Sequence, residues 1–184
     1  MKVLLDFDGV IVHTIELVDR ILSEKIPNVI IDTSQWQFPL RYPDIPNEYI
    51  YDAWREAYES NEIFRYIDWG FKHLLETPEL NTYVVTYLTE GMDIQSKYKI
   101  MKQLLGDNMK KTIMTFNSKE ILFSSFDVII DDSPLLAESY IIKKPKDTIF
   151  ILYQQDWNRY LWNEPYLITT DDLIDAYYII GDIL

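Results

Sequence analysis

The chain has 184 residues, 48% of them hydrophobic, and a formal net charge of −13. That length suits one domain with a full apolar core and room for a small insert. The charge disfavours nucleic acid as a partner, because such binding rests on Lys and Arg neutralising phosphates, and the lack of cysteine excludes a disulfide framework or a thiolate metal site. No apolar run approaches the ~20 residues that span a bilayer, and the amino terminus enters a strand without the basic leader of a signal peptide. The expectation is a cytoplasmic protein with no membrane partner.

The first stretch, Lys2-Val3-Leu4-Leu5-Asp6-Phe7-Asp8-Gly9-Val10, begins as a buried strand and ends in two acids two positions apart. Residues i and i+2 of a strand share a face, so Asp6 and Asp8 are expected to project together beyond the carboxyl edge of a sheet. Two carboxylates so placed repel each other. A divalent cation relieves that repulsion, and hard oxygen ligands suit Mg²⁺. Gly9 lets the backbone turn sharply or approach a ligand closely. An Asp-Gly turn at a strand end is the plainer alternative.

Apolar residues from Ile15 to Leu22 recur at helical spacing, with Thr14 as the expected cap, and His13 before them reads as a surface or packing residue. Residues 27–47 hold four of the eight prolines, which break any long helix, and frame the aromatic loop Trp36-Gln37-Phe38-Pro39. Pro46-Asn47 signals a helix through Tyr58. Ile63 to Trp69 continues the aromatic theme, and Phe71 to Leu75 reads as a helix returning to the sheet. No strong strand is expected between 14 and 68, so residues 14–69 form a helical insert on a core of 1–13 and 70–184.

From Thr82 the pattern alternates. Strands are expected at Thr82–Thr86, Thr112–Phe116, Phe126–Asp132, Thr148–Tyr153 and, more briefly, Tyr166–Ile168. A helix from Ile94 to Leu105 stops at Gly106, and Thr169-Thr170-Asp171-Asp172 opens a last helix through Ile180. Such alternation predicts an α/β fold with a parallel, right-handed sheet. Three further groups fall at its strand ends. The Thr86 hydroxyl can donate to a phosphoryl oxygen, joined by amides of the loop to Gly91. Lys119 offers a point charge suited to a phosphate. Asp131-Asp132, ahead of Ser133-Pro134, ends an apolar strand and pairs with Asp6 and Asp8 as a metal site; a helix cap is its plainer alternative.

Asp6/Asp8, Thr86, Lys119 and Asp131/Asp132, in that order, resemble the four motifs of the haloacid dehalogenase (HAD) superfamily. Residues from Val84 to Pro134 are also similar to the cytosolic 5'(3')-deoxyribonucleotidases. They share a YEKY-like segment at Gln95-Ser96-Lys97-Tyr98, a glycine-ended helix at Leu104-Leu105-Gly106, and a hydrophobic-Asp-Asp-x-Pro strand end. That family usually carries Thr-Ser at the second motif, whereas Tyr87 follows Thr86 here.

The resemblance implies a HAD-like Rossmannoid parallel sheet with a small helical cap inserted after strand one. It implies that Asp6 is a nucleophile forming an aspartyl-phosphate and that Asp8 is a general acid/base with a pKa near working pH. It places Thr86, Tyr87 and Lys119 at the phosphate. It gives Mg²⁺ to Asp6, the Asp8 carbonyl, Asp131 and Asp132, with Asp132 the preferred direct ligand. Cap aromatics, Phe64 and Trp36 among them, would pack on a base. The implied substrate is a small phosphate monoester, first of all a nucleoside 5'-monophosphate. A phosphatase for another metabolite and a catalytically idle binding module are the rival readings, and assembly as a homodimer is compatible with each.

Overall fold

A computed structural model describes residues 1–88 and 94–183. Its elements follow in the order β1 (Lys2–Asp6), α1 (Thr14–Lys25), α2 (Phe38–Arg41), α3 (Asn47–Glu59), α4 (Phe71–Glu76), β2 (Asn81–Tyr87), α5 (Ile94–Leu105), β3 (Thr112–Thr115), β4 (Val128–Asp131), α6 (Pro134–Lys143), β5 (Ile149–Tyr153), β6 (Ile168–Thr170) and α7 (Leu173–Ile183). Short 3₁₀ turns lie between them, among them Asn61–Tyr66, Lys119–Ser125 and Asp156–Leu161.

All six strands are parallel, in the order β3-β2-β1-β4-β5-β6. The alternation of side chains splits the core into two layers. Val3, Leu5, Val84, Val128, Ile130 and Ile151 pack under α5, α7 and the segment between β1 and β2. Leu4, Val85, Ile129, Phe150 and Leu152 pack on the other face with Phe123, Leu136 and Leu161. Both faces are covered, so β1 and β4 are buried almost throughout and read as continuous apolar runs.

Chain progression reverses at β1, which lies between β2 and β4. That reversal opens a crevice beyond the carboxyl ends of β1 and β4, where ligands bind in open α/β sheets. Leu5 pairs with Ile130, so the next residues, Asp6 and Asp131, end adjacent strands.

Between β1 and β2 the described residues form helices and turns; an isolated bridge of Val12 with Ile67 joins the two ends of this segment. Thr14 does not cap α1 with its side chain. Its hydroxyl goes instead to Asp8, at 2.9 Å, because the first turn of α1 faces the crevice. Thr169 and Thr170, expected to open the last helix, lie in β6, which is shifted past Tyr166. There Tyr153 pairs with Thr170, and α7 begins at Leu173. Cross-strand pairing overrides the capping preference of threonine at that point. Among the described residues no helix is long and apolar enough to cross a membrane.

Candidate active site

Four chain segments meet in the crevice. Asp6, 5% exposed at the end of β1, accepts a hydrogen bond from the Phe7 amide at 2.7 Å and pairs with the Lys119 ammonium at 2.5 Å. Asp131, at the end of β4, takes the same ammonium at 2.7 Å and accepts from the Ser133 amide at 2.9 Å. Asp132 follows. Its carboxyl faces the cavity and lies over Gly9, whose φ is +82°. A Cβ on Gly9 would sit 2.0 Å from Asp132 Oδ2, so both the turn and the contact require glycine.

Asp6, Asp131 and Asp132 bring carboxylate oxygens within 4.8 Å of one another. One ammonium cannot balance three buried carboxylates. Burial, aided by the repulsion of Asp131 and only partly offset by Lys119, pushes the Asp6 pKa from 3.8 up to about 7. Burial and then the repulsion of Asp6 and Asp131 raise Asp132 well above its ordinary value. Burial disfavours the charged form of Lys119, but Asp131 and Asp6 outweigh it and raise that group. An oxygen cluster short of positive charge fits a hard divalent cation such as Mg²⁺. Asp131 is fully buried and committed to Lys119 and Ser133, whereas Asp132 borders the cavity, so Asp132 is the better placed of the pair to meet an ion from solvent.

Asp8 has a different environment. Its carboxyl is not part of that cluster. Tyr58 and Thr14 donate to Oδ1 at 2.7 and 2.9 Å, Thr86 donates to Oδ2 at 3.1 Å, and Lys97 pairs with the same Oδ2. Burial opposes ionisation, but the Lys97 charge and the hydrogen bonds from Lys97, Tyr58 and Thr14 outweigh it and hold Asp8 below the usual range. The expectation of an Asp8 pKa near working pH is therefore not met by this arrangement. Nor is its side chain placed as a metal ligand beside the other three.

Thr86 is fully buried with its hydroxyl on Asp8, while Tyr87 borders the cavity. The loop to Gly91, expected to add amides, lies outside the described residues. The cavity, about 640 Å³, is lined by the charged residues Asp6, Asp8, Lys119 and Asp132 and by the aromatics Trp36, Phe38, Tyr51 and Trp54, among others. Trp36, expected to pack on a base, is thus among the lining residues. Phe64 is not among the lining residues; it is half-buried in the turn Asn61–Tyr66 and packs on the main core.

Lys97 and Tyr58 are site residues that motif reasoning did not single out for Asp8. Each carries a signal. Lys97 lies one turn before Ile100 and Met101 on the buried stripe of α5, a place where a lysine requires a charge partner. Tyr58 continues the buried stripe of Ile50, Ala53, Trp54 and Ala57 on α3. Arg41 left a weaker trace. It is 2% exposed, bonds Asp19 through Nε at 3.0 Å, and donates to the carbonyls of Thr33 and Gln35, each at 3.0 Å.

No family model matches the sequence, and no curated protein does. Solved structures do match. A haloacid dehalogenase-like hydrolase from Burkholderia xenovorans superposes with a TM-score of 0.62 at 11% identity, covering 100% of this chain and 98% of that one. A haloacid dehalogenase-like family hydrolase from Xanthomonas campestris gives 0.55, again at 11% identity, over 100% and 95%. The fold is therefore the α/β fold of the haloacid dehalogenase-like hydrolases. Identity at this level speaks for the fold alone.

Proposed function

We propose that this chain is a Mg²⁺-dependent phosphatase that hydrolyses a small phosphate monoester, a nucleoside 5'-monophosphate before others, through an aspartyl-phosphate on Asp6. One observation carries the reading. Asp6, backed by Lys119, opens into a cavity that Trp36, Phe38, Tyr51 and Trp54 also line. A carboxylate nucleophile and a flat apolar wall suit a phosphate joined to a base.

Asp6 attacks phosphorus, and the ester oxygen leaves with a proton from Asp8. Water then attacks the aspartyl-phosphate while Asp8 takes its proton; Lys97, Tyr58 and Thr14 keep Asp8 ionised and so available as the base, while lowering its basicity. The acid half is harder, because those partners oppose a proton on Asp8. A phosphoryl oxygen drawing the Lys97 ammonium toward itself would ease that opposition. Asp6, Asp131 and Asp132, with the Asp8 carbonyl, would hold a divalent cation, which would supply charge that keeps Asp6 ionised and draws charge from the phosphoryl oxygens. Residues 14–69 serve as the cap, with α3 bringing Tyr58 to Asp8 and the loop before α2 bringing Trp36 over the cavity.

A phosphate-release screen over ribo- and deoxynucleotides and sugar phosphates, with and without Mg²⁺, tests this. Mg²⁺-dependent turnover with a preference for nucleoside monophosphates is expected. Preference for a sugar phosphate would move the substrate class, and release from none would favour a binding module. Trp36→Ala should raise KM for the nucleotide several-fold and leave a short alkyl phosphate unaffected.

A further inference from the structure

The turn after β5 makes no part of the cavity wall, yet two of its side chains reach into the frame of the acid cluster. Asn158 is fully buried. Its Nδ2 donates to the carbonyls of Asp132 and Tyr153 at 2.9 and 2.8 Å, and its Oδ1 accepts from the Gln155 amide and Trp162 Nε1 at 3.0 and 2.7 Å. That exhausts two donors and two acceptor sites of one amide, so its orientation is fixed. Gln155, three residues earlier, donates from Nε2 to the Gly9 carbonyl at 2.8 Å. The two amides thus hold opposite walls of one slot. Asn158 holds the main chain of Asp132, and Gln155 holds the Gly9 backbone that the Asp132 carboxyl lies against.

We infer that Asn158 and Gln155 are positioning residues for the cation site, setting where Asp132 presents its oxygens. The need for them follows from how the three acids are held. Asp6 and Asp131 share the Lys119 ammonium, and each also accepts a backbone amide. Asp132 faces both carboxyls across a few ångströms, and repulsion drives it outward. Its place therefore depends on the backbone that carries it, and that backbone is gripped by Asn158. Groups that orient metal ligands in this way change metal affinity about 10–100-fold when they are removed. Trp157, between the two, lies under the Arg41 guanidinium at 5.2 Å, so the same turn also seats the segment bearing Trp36 and Phe38.

This inference rests on the reading of the acid cluster as a cation site, not on phosphatase activity. Its test is Mg²⁺ titration of the substrate-free protein, read as thermal stabilisation and by calorimetry. Gln155→Met keeps length and removes the donor; Asn158→Leu keeps volume and removes all four bonds. Tyr160→Phe, an exposed change in the same turn, is the control. Each of the first two should raise the Mg²⁺ midpoint about tenfold, with excess Mg²⁺ restoring the wild-type plateau, and the control should not move it. If Asn158→Leu fails to fold, Gln155→Met decides. A midpoint within twofold of wild type in Gln155→Met, or a wild type that takes up no Mg²⁺, overturns the inference. A wild type that binds Mg²⁺ but releases no phosphate defeats the phosphatase reading and leaves this one standing.

Discussion

Asp6 shares one ammonium with a second carboxyl and faces a third, which makes it the most consequential single residue of the site. Asp6→Asn keeps the shape of the side chain and removes its nucleophilic charge, so phosphate release should fall by at least about 10³-fold. The same change removes repulsion, so the melting temperature in EDTA at neutral pH should rise or hold. A drop in both would mean that Asp6 is needed for folding, and the loss of activity would then say nothing of its role. Gly9→Ala tests the neighbouring backbone. A left-handed alanine costs about 1–2 kcal/mol, and the added Cβ would meet Asp132 Oδ2 at 2.0 Å. Stability should fall, and the Mg²⁺ response should fall further because Asp132 is displaced; calorimetric titration separates the two.

At the scale of elements, the segment between α1 and α3 is short of regular structure and depends on one buried cation. Arg41 ties the Thr33 and Gln35 carbonyls to Asp19 on α1. Removing one partner of a buried pair strands the other, at a cost of about 3–5 kcal/mol. Arg41→Ala should lower the urea midpoint accordingly, and Arg41→Lys should recover only part of it, since an ammonium lacks the planar fork that spans Asp19 and both carbonyls. If Trp36 depends on this anchor, both variants should also raise KM for the nucleotide. Helix α3 offers a contrast. It packs on α1, buries Ala53, Trp54 and Ala57 and needs no buried charge to hold it, so it can carry Tyr58 to Asp8.

For the molecule as a whole, the acid cluster couples stability to pH and to cations. The folded pKa of Asp6, about 7, lies above its ordinary 3.8, and Asp132 is shifted the same way. Such groups favour the fold fully below their unfolded pKa, and that contribution is lost as pH rises through the folded value. Asp8, shifted downward, contributes above its ordinary value and loses that contribution as pH falls. In EDTA the two raised groups should therefore make the melting temperature decline from about pH 5 to pH 8. Mg²⁺ should reverse the decline, with a larger stabilisation at the upper end of that window. Equal stabilisation at both ends would place the ion elsewhere on this acidic surface.

The sequence by itself determined the parallel α/β architecture and the order of the acids along it. Alternating apolar strands and amphipathic helices admit few other topologies, and acids at strand ends must fall on one edge of a parallel sheet. It also marked Asp6, Lys119, Asp131 and Asp132 as residues that would meet. Tertiary structure decided what those residues face. Asp8 shares the strand periodicity of Asp6, yet the turn at Gly9 and the arrival of Tyr58 and Lys97 from distant helices gave it a hydroxyl and an ammonium in place of a position in the acid cluster. Phe64 and Trp36 look alike in an aromatic-rich segment and both pack against the main core, and only tertiary packing gave Trp36 a face on the cavity as well. Thr170 went to a strand because Tyr153 was there to pair with it. Asn158 and Gln155 carry no motif, because a carboxamide is legible only by the partners it meets, and theirs lie up to 146 residues away. Local patterns record what a segment prefers, while the environment of a buried polar group is set by chain that is remote in sequence.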